Sequence, residues 1–237
     1  KTNWDLVQIF NISRLDEHIF ILKDINYKSL SLAPIIQPGY NFTKIDSVKS
    51  SIRGFLRGYF INYNNIEEKR IFLNKNKSFI FLSKDEMNYF DNIFPLSKIK
   101  HTILVKNGVN NSINFDHDMC HRDIDFLLVG RIEVGKNTIK VINIIRKHFS
   151  KHKCVIVGSP NKYHFFYNWK FRKLISMMPN IDYIGPASHK DVINLMKRSK
   201  NLLNISNKEV SPLVDLEAIA CGMSVCSTTE SFTHLVK

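Results

Sequence analysis

The sequence holds only four cysteines in 237 residues, Cys120, Cys154, Cys221 and Cys226, and they follow no framework spacing. That excludes a disulfide-stapled secreted scaffold, and with Cys154 inside an apolar run a reducing cytoplasm is the expected compartment. No apolar stretch approaches the length of a membrane span and the start carries no signal-peptide pattern, so any membrane contact is expected to be peripheral. Internal repeats are lacking too. Acid is in short supply: 21 Asp and Glu face 34 Lys and Arg, a net charge of +13. Such a balance points to anionic partners, nucleic acid or a membrane surface among them. What the chain does have is 44% apolar residues, enough core for one large or two modest domains. Its richness in Asn, Lys and Ile is a compositional bias without bearing on the chemistry.

The segment EVSPLVDLEAIACG carries two acids, Glu209 and Glu217, around an expected helix start. Ser211 can cap that helix and Pro212 suits its first turn, leaving the backbone N–H groups of Leu213, Val214 and Asp215 free for an anion, with phosphate the natural guest. Glu209, just ahead of the helix, can reach ligand hydroxyls, and Gly222 supplies the stop. Taken alone, the same residues also describe an ordinary amphipathic helix burying Leu213, Leu216, Ile219 and Ala220.

A second segment, DFLLVGRIEVGKNTIKVINIIRKHF, reads as a buried strand at Phe126 to Val129, a turn from Gly130 to Asn137, and a helix from Ile139 to Phe149. Strand, glycine turn and helix make a phosphate-binding geometry. Arg131 and Lys136 flank the turn, and a diphosphate needs fixed positive charge. Gly130, Gly135 and Lys136 also fall at Walker A positions, but Asn137 stands where the magnesium-binding hydroxyl belongs, and the acidic pair has no role in a P-loop nucleotidase. That enzyme class stays open as an alternative. His117, Cys120 and His121 have near-ligand spacing, with Asp116 and Asp118 close by, yet the polarity of a linker explains them more simply than a zinc site, so no metal is expected.

Together, VGRIEVGKN and E-x7-E followed by EAIACGMSV resemble the retaining glycosyltransferases of family four, which have the GT-B fold. The order of short matches is kept: CVIVGS with Gly158, IDYIGP with Gly185, the helix SHKDVINLMKRS with Ser188 and Asp191 as a capping box, the strand NLLNIS, then the acidic helix. The resemblance runs from Asp123 to Val225. It implies that Arg131 and Lys136 hold the donor diphosphate at Gly130 and stabilise the leaving nucleotide. It also implies that Glu209 binds donor-sugar hydroxyls, Glu217 the ribose, and the amides of Leu213 and Val214 phosphate oxygens. Ile184, just before Gly185, falls where the family packs or hydrogen-bonds the base. The chain departs from the family at Val210, Ser211 and Ser224, which shape the sugar pocket.

The first half alternates like an α/β sheet: strand DLVQIFN, helix LDEHIFILKDI, strand SLSLAPII, helix KIDSVKSSIRGFLRGYF, strand SFIFLS, helix KDEMNYFDNIF with Ser83 and Glu86 as a capping box, and strand HTILVKNG. Two Rossmann-like domains with parallel sheets are expected, 1–111 on the acceptor side and 112–237 for the nucleotide sugar, joined by the polar run NGVNNSINFDHDMCHRD. Against the family pattern the chain reads as truncated at both ends. The glycine-rich opening loop and the Gly-Gly after the acidic helix are not seen, and Gln8 and Phe10 follow Asp5 where the family carries histidines.

The expected function is transfer of a hexose-type sugar from a nucleoside-diphosphate sugar to an acceptor hydroxyl with anomeric retention, in the cleft between domains. The donor is a substrate and no cofactor is called for. The acceptor class is carbohydrate or lipid-linked, in polysaccharide or glycolipid assembly, and a basic face fits contact with anionic lipid at the inner face of the membrane. A non-catalytic sugar-nucleotide-binding or accessory subunit is the alternative. Aromatics and cations in YHFFYNWKFRK can stack on bases, but no nucleic-acid module surrounds them; Phe165, Phe166 and Trp169 packing under a loop is the competing expectation, and nucleic acid is not an expected partner.

Overall fold

The computed structural model describes residues 3–11, 18, 21, 22, 24–36, 78–93, 101–110, 113, 121–207 and 209–228. The helix expected over 44–60, most of that over 15–25, the linker residues His117 and Cys120, and the tail from 229 on lie outside the described residues. The chain divides into two compact units, Lys1–Lys106 and Asn107–Lys237.

In the first unit, β1 (Asn3–Phe10), β2 (Asn26–Ala33), β3 (Ser78–Phe81) and β4 (His101–Leu104) form a parallel sheet in that order. The strand expected over 29–36 ends instead at Ala33. Pro34 has no N–H to give the ladder, and Ile35 takes a left-handed φ of 48°, so the extended conformation cannot continue. Helix α1 (Lys84–Ile93) begins at the expected capping box, with the Glu86 amide donating to Ser83 Oγ at 3.1 Å. The Glu86 carboxylate accepts from the amides of Leu82 at 2.7 Å and Ile36 at 3.0 Å, tying the helix to the end of β2. Phe79, Phe81 and Phe90 close the core, with Phe90 at ring-centroid distances of 5.2 and 5.4 Å from the other two.

The second unit alternates β5 (Ile124–Val129), α2 (Thr138–His148), β6 (Cys154–Val157), α3 (Phe165–Ile175), β7 (Ile181–Gly185), α4 (His189–Lys197), β8 (Ser199–Asn204), α5 (Leu213–Ala220) and β9 (Ser224–Ser227). All five strands are parallel, in the order β7-β6-β5-β8-β9. The strands β5 and β6 are nearly continuous apolar runs because both of their faces are covered, whereas the edge strands β7 and β9 keep exposed residues. Leu128 and Ile156 point to one side, where Ile142, Ile145, Phe171 and Leu174 of α2 and α3 meet them; Leu127, Val155 and Leu202 point to the other, against Met196, Ala218 and Cys221. Each such side chain, taken out of water, stabilises the fold by about 1.5–3 kcal/mol.

Ion pairs hold the amino edge of this sheet. Asp123 accepts from Arg198 Nε at 2.9 Å and Arg198 NH2 at 2.6 Å, and lies 3.0 Å from Lys153 Nζ; Asp125 pairs with Lys200 at 2.7 Å. Hydrogen bonds from Arg198 and Lys153 hold the Asp123 carboxyl far below the usual carboxylate range. At Cys154, burial pushes the thiol up to about 12, which leaves it inert. Among the described residues, no helix is long and apolar enough to cross a membrane.

Candidate functional site

The strand order places a topological switch point between β5 and β8, whose following helices go to opposite faces of the sheet, and the crevice at such a point is where open α/β sheets bind ligands. Three glycines line the carboxyl edge beside it. Gly130 follows β5 with φ 148°, Gly158 follows β6 with φ 144°, and Gly185 ends β7 with φ 83°. The Gly130 amide donates to Val157 O at 3.0 Å and the Gly158 amide to Gly185 O at 2.7 Å. A Cβ on Gly158 would stand 1.9 Å from Gly130 O, so no side chain fits there and the two turns touch backbone to backbone.

From the β5 turn, Lys136 folds back so that its Cε would lie 3.5 Å from a Cβ at Gly130. Its ammonium is ion-paired with the Glu209 carboxylate from the loop after β8. Both side chains are largely buried, at 24% and 14% exposure, which strengthens the pair relative to one on the open surface. Arg131 is 69% exposed, with NH2 3.1 Å from Glu133 Oε1. Arg131, Lys136 and Gly130 share a small hollow with Asn204.

Asn137 explains why this turn is not a Walker A loop. It takes a left-handed φ of 53°, and its amide donates to Ile205 O at 2.8 Å and to Asn207 Oδ1. The Asn207 amide returns a hydrogen bond to Gly135 O at 2.8 Å. The side chain that a P-loop would spend on a metal is here a latch between the loops after β5 and β8. Asn161, from the loop after β6, adds a further tie by donating to Glu133 Oε2 at 2.7 Å.

At the acidic helix two expectations are corrected. Ser211 does not cap α5; the cap position falls on Pro212, whose ψ of 120° keeps it extended, and the Ser211 carbonyl accepts from Asn107 Nδ2 at 2.9 Å. The Asp215 amide donates to Pro212 O at 3.2 Å and is not free. The amides of Leu213 and Val214 have no hydrogen-bond partner among the described residues. Leu213, read as a core residue of an ordinary amphipathic helix, is 52% exposed. Gly222 ends the helix at φ 70°, with its amide on Ile219 O and that of Met223 on Ala218 O, so two terminal carbonyls are satisfied.

Glu217 lies on α5 and has no ion pair with Lys136; its Oε1 is 2.8 Å from His189 Nε2 at the start of α4. Ile184 is half exposed and sits where the register between β6 and β7 shifts: Ile156 faces Tyr183 and Val157 faces Gly185, so Ile184 has no partner across the ladder.

Sequence reasoning missed His189 and Asp215. Asp215 is fully buried beneath the site, with Oδ1 accepting from Asn204 Nδ2 at 2.7 Å, and Asn204 Oδ1 accepting in turn from Ser206 Oγ at 2.8 Å. Burial pushes the Asp215 carboxyl above its ordinary value, against the opposing hydrogen bonds of Ser227 and Asn204. The signal available was an acid inside the apolar run LVDLEAIA, three residues before Ala218. Among the described residues no cluster of His, Cys, Asp and Glu is arranged to hold a metal ion. Phe165, Phe166 and Trp169 do not pack under a loop; they are 72%, 82% and 58% exposed.

Residues 111–236 match the family described as glycosyl transferases group 1. No curated protein matches the chain. Among solved structures, HepE of Anabaena in complex with UDP and glucose superposes with a TM-score of 0.63 at 14% identity, over 94% of this chain and 65% of that one. Sucrose-phosphate synthase of Thermosynechococcus elongatus gives 0.70 at 15% identity, over 98% of this chain and 58% of that one. TarM of S. aureus, in a complex that includes UDP, gives 0.59 at 16%, over 89% and 39%. The chain thus spans about 65% and 58% of the lengths of the first two. At these identities the likeness is one of fold: α/β with parallel sheets, of the GT-B type.

Proposed function

The chain belongs to the glycosyl transferases of group 1, and from that premise we propose that it moves a hexose-type sugar from a nucleoside-diphosphate sugar to an acceptor hydroxyl, with retention, as in family four. The observation that carries this is the meeting of Lys136 and Glu209 at the switch point, beside glycine-lined strand ends and the open amides of α5. One cation and one acid able to take hydroxyls, held against each other, are the two groups needed where a sugar joins its phosphate.

In this reading the incoming diphosphate takes Lys136 and the exposed Arg131, with the amides of Leu213 and Val214 completing its cradle, while Glu209 turns to the sugar hydroxyls. The bond between the anomeric carbon and the phosphate oxygen breaks, its electron pair stays on the oxygen, and the cations stabilise that charge as it develops. The acceptor hydroxyl attacks from the same face and its proton passes to the departing phosphate. Preorganised charges of this kind are worth about 3–4 kcal/mol for each donor removed. Glu217 is assigned the ribose and the backbone at Ile184, where the register shifts, the base. The charge work falls to Arg131, Lys136 and the start of α5, and no cofactor beyond the donor is proposed. UDP, bound by HepE and TarM, is the first nucleotide to test.

The test is a thermal-shift and nucleotide-release panel of uridine, guanosine and adenosine diphosphate sugars on the full-length protein. Release of nucleotide with one sugar nucleotide supports transfer; binding without release under any acceptor favours an accessory subunit, and no binding at all ends the proposal.

A further inference from the structure

Residues 134–181 contain no Asp or Glu and ten Lys or Arg, so this stretch concentrates much of the excess charge. Lys136 and Lys153 are paired with acids from elsewhere; Lys140, Lys147, Lys162, Lys170 and Lys173 have no ion-pair partner among the described residues. The same stretch exposes four large aromatics within seven residues: Tyr163 at 80%, Phe165 at 72%, Phe166 at 82% and Trp169 at 58%. Helix α3 buries Phe171 and Leu174 on its core side, the spacing of 166, 169 and 173 puts Phe166, Trp169 and Lys173 on its other side, and Lys162 and Tyr163 stand exposed in the turn just before it. Lys162 Nζ lies 5.1 Å from the Tyr163 ring and Lys173 Nζ 5.4 Å from the Trp169 ring. The surface continues onto the neighbouring α2, where Lys140, half-exposed Ile144 and Lys147 line a groove of about 560 Å³ with Tyr167.

Rings left in water forgo the gain of burial, so a cluster of them marks a surface that meets something. The lysines decide what. An acid-free field repels a second copy of itself and attracts an anionic surface. Phe165 and Phe166 meet edge to face, at 5.8 Å and 80°, and so form an apolar wedge in place of parallel faces on which bases could stack. Tyr and Trp beside such a wedge suit headgroup depth, where one end of the ring is apolar and the other wet.

We propose that the outer face of α3 and the turn before it, led by Tyr163, Phe165, Phe166 and Trp169, dock this unit on an anionic lipid bilayer, with Lys162, Lys170 and Lys173 on lipid phosphates. The docking is independent of the reaction assigned above, since it is measured with no sugar nucleotide present.

The experiment is sedimentation of the whole chain with vesicles of phosphatidylcholine alone or mixed with phosphatidylglycerol, alongside tryptophan emission. Binding is expected to the mixed vesicles only, weakening with salt, with a blue shift that Trp169→Phe abolishes. The pair F165S and F166S, whose parent residues carry no core contact, should lower vesicle affinity roughly tenfold or more with unchanged circular dichroism. K170E with K173E should do so while keeping the rings. Retained binding in both variants overturns the proposal, as does an unshifted Trp169 or no binding to either vesicle. Tighter binding to a single-stranded oligonucleotide, or a dimer dissolved by F165S and F166S without vesicle binding, overturns it as well.

Discussion

Lys136 and Glu209, 73 residues apart in the chain, are joined as an ion pair where the loops after the first and fourth strands of the second unit meet. Each group therefore neutralises the other, and in the proposed reaction the donor's diphosphate and sugar hydroxyls take their place.

Lys136→Ala should lower sugar transfer at least about 100-fold, because it removes a fixed charge from the developing phosphate. Stability should fall by only about 1–2 kcal/mol, the cost of leaving Glu209 without its partner in a site still open to water. Nucleotide release and chemical denaturation measure the two; equal transfer rates would end the assignment.

Glu217→Ala should weaken binding of the free nucleoside diphosphate more than Glu209→Ala does, while Glu209→Ala should erase the difference in affinity between sugar nucleotides. Calorimetry with UDP and with UDP-sugars separates these outcomes. The structure supports the contrast, since Glu217 pairs with His189 and shares no hydrogen bond with Lys136.

Gly158→Ala should destabilise the protein more than Gly130→Ala. At Gly158 the new carbon meets backbone at 1.9 Å, which forces the turns apart and costs about 3 kcal/mol or more; at Gly130 it meets Lys136 Cε at an ordinary 3.5 Å, leaving about 1–2 kcal/mol for the left-handed backbone. Urea midpoints of the two variants decide the order.

Asp215→Asn should stabilise the protein at neutral pH relative to its effect in acid. The folded carboxyl titrates above its ordinary value, so the parent binds a proton more readily folded than unfolded, and its stability falls as pH rises from about 4 towards that raised value. Asparagine stays neutral and still offers Oδ1 to Asn204. Melting temperatures compared at pH 3.5 and pH 7 should show the variant gaining on the parent; a constant difference would contradict the shift.

Asp123→Asn has the opposite sign. Its carboxyl titrates below the usual range because of Arg198 and Lys153, so its contribution is full above about pH 4 and fades as pH falls through the lowered value. The variant should melt lower than the parent near neutrality and approach it in strong acid.

Much of the second unit was legible because CVIV and the LLV of DFLLV are largely buried on both faces and admit few other conformations, and Ser188 caps its helix as its spacing requires, as Ser83 does in the first unit. Where the sequence misled, a local competitor won: Pro34 and left-handed Ile35 end β2 early, and Pro212 takes the cap position from Ser211. The burial of Asp215 and the pairing of Glu217 with His189 depend on residues brought together from distant elements, which no local pattern encodes. The exposure of Phe165 and Phe166 was hidden for the converse reason, since an aromatic run looks the same in sequence whether it faces the core or water.

The amide of Asn137 and the backbone of Asn207 sew two arms of the site together through atoms that no bound sugar would need. Frame and selectivity are therefore separable in the proposed reading: a substitution at Val210 should leave the stitching between Asn137 and Asn207 whole.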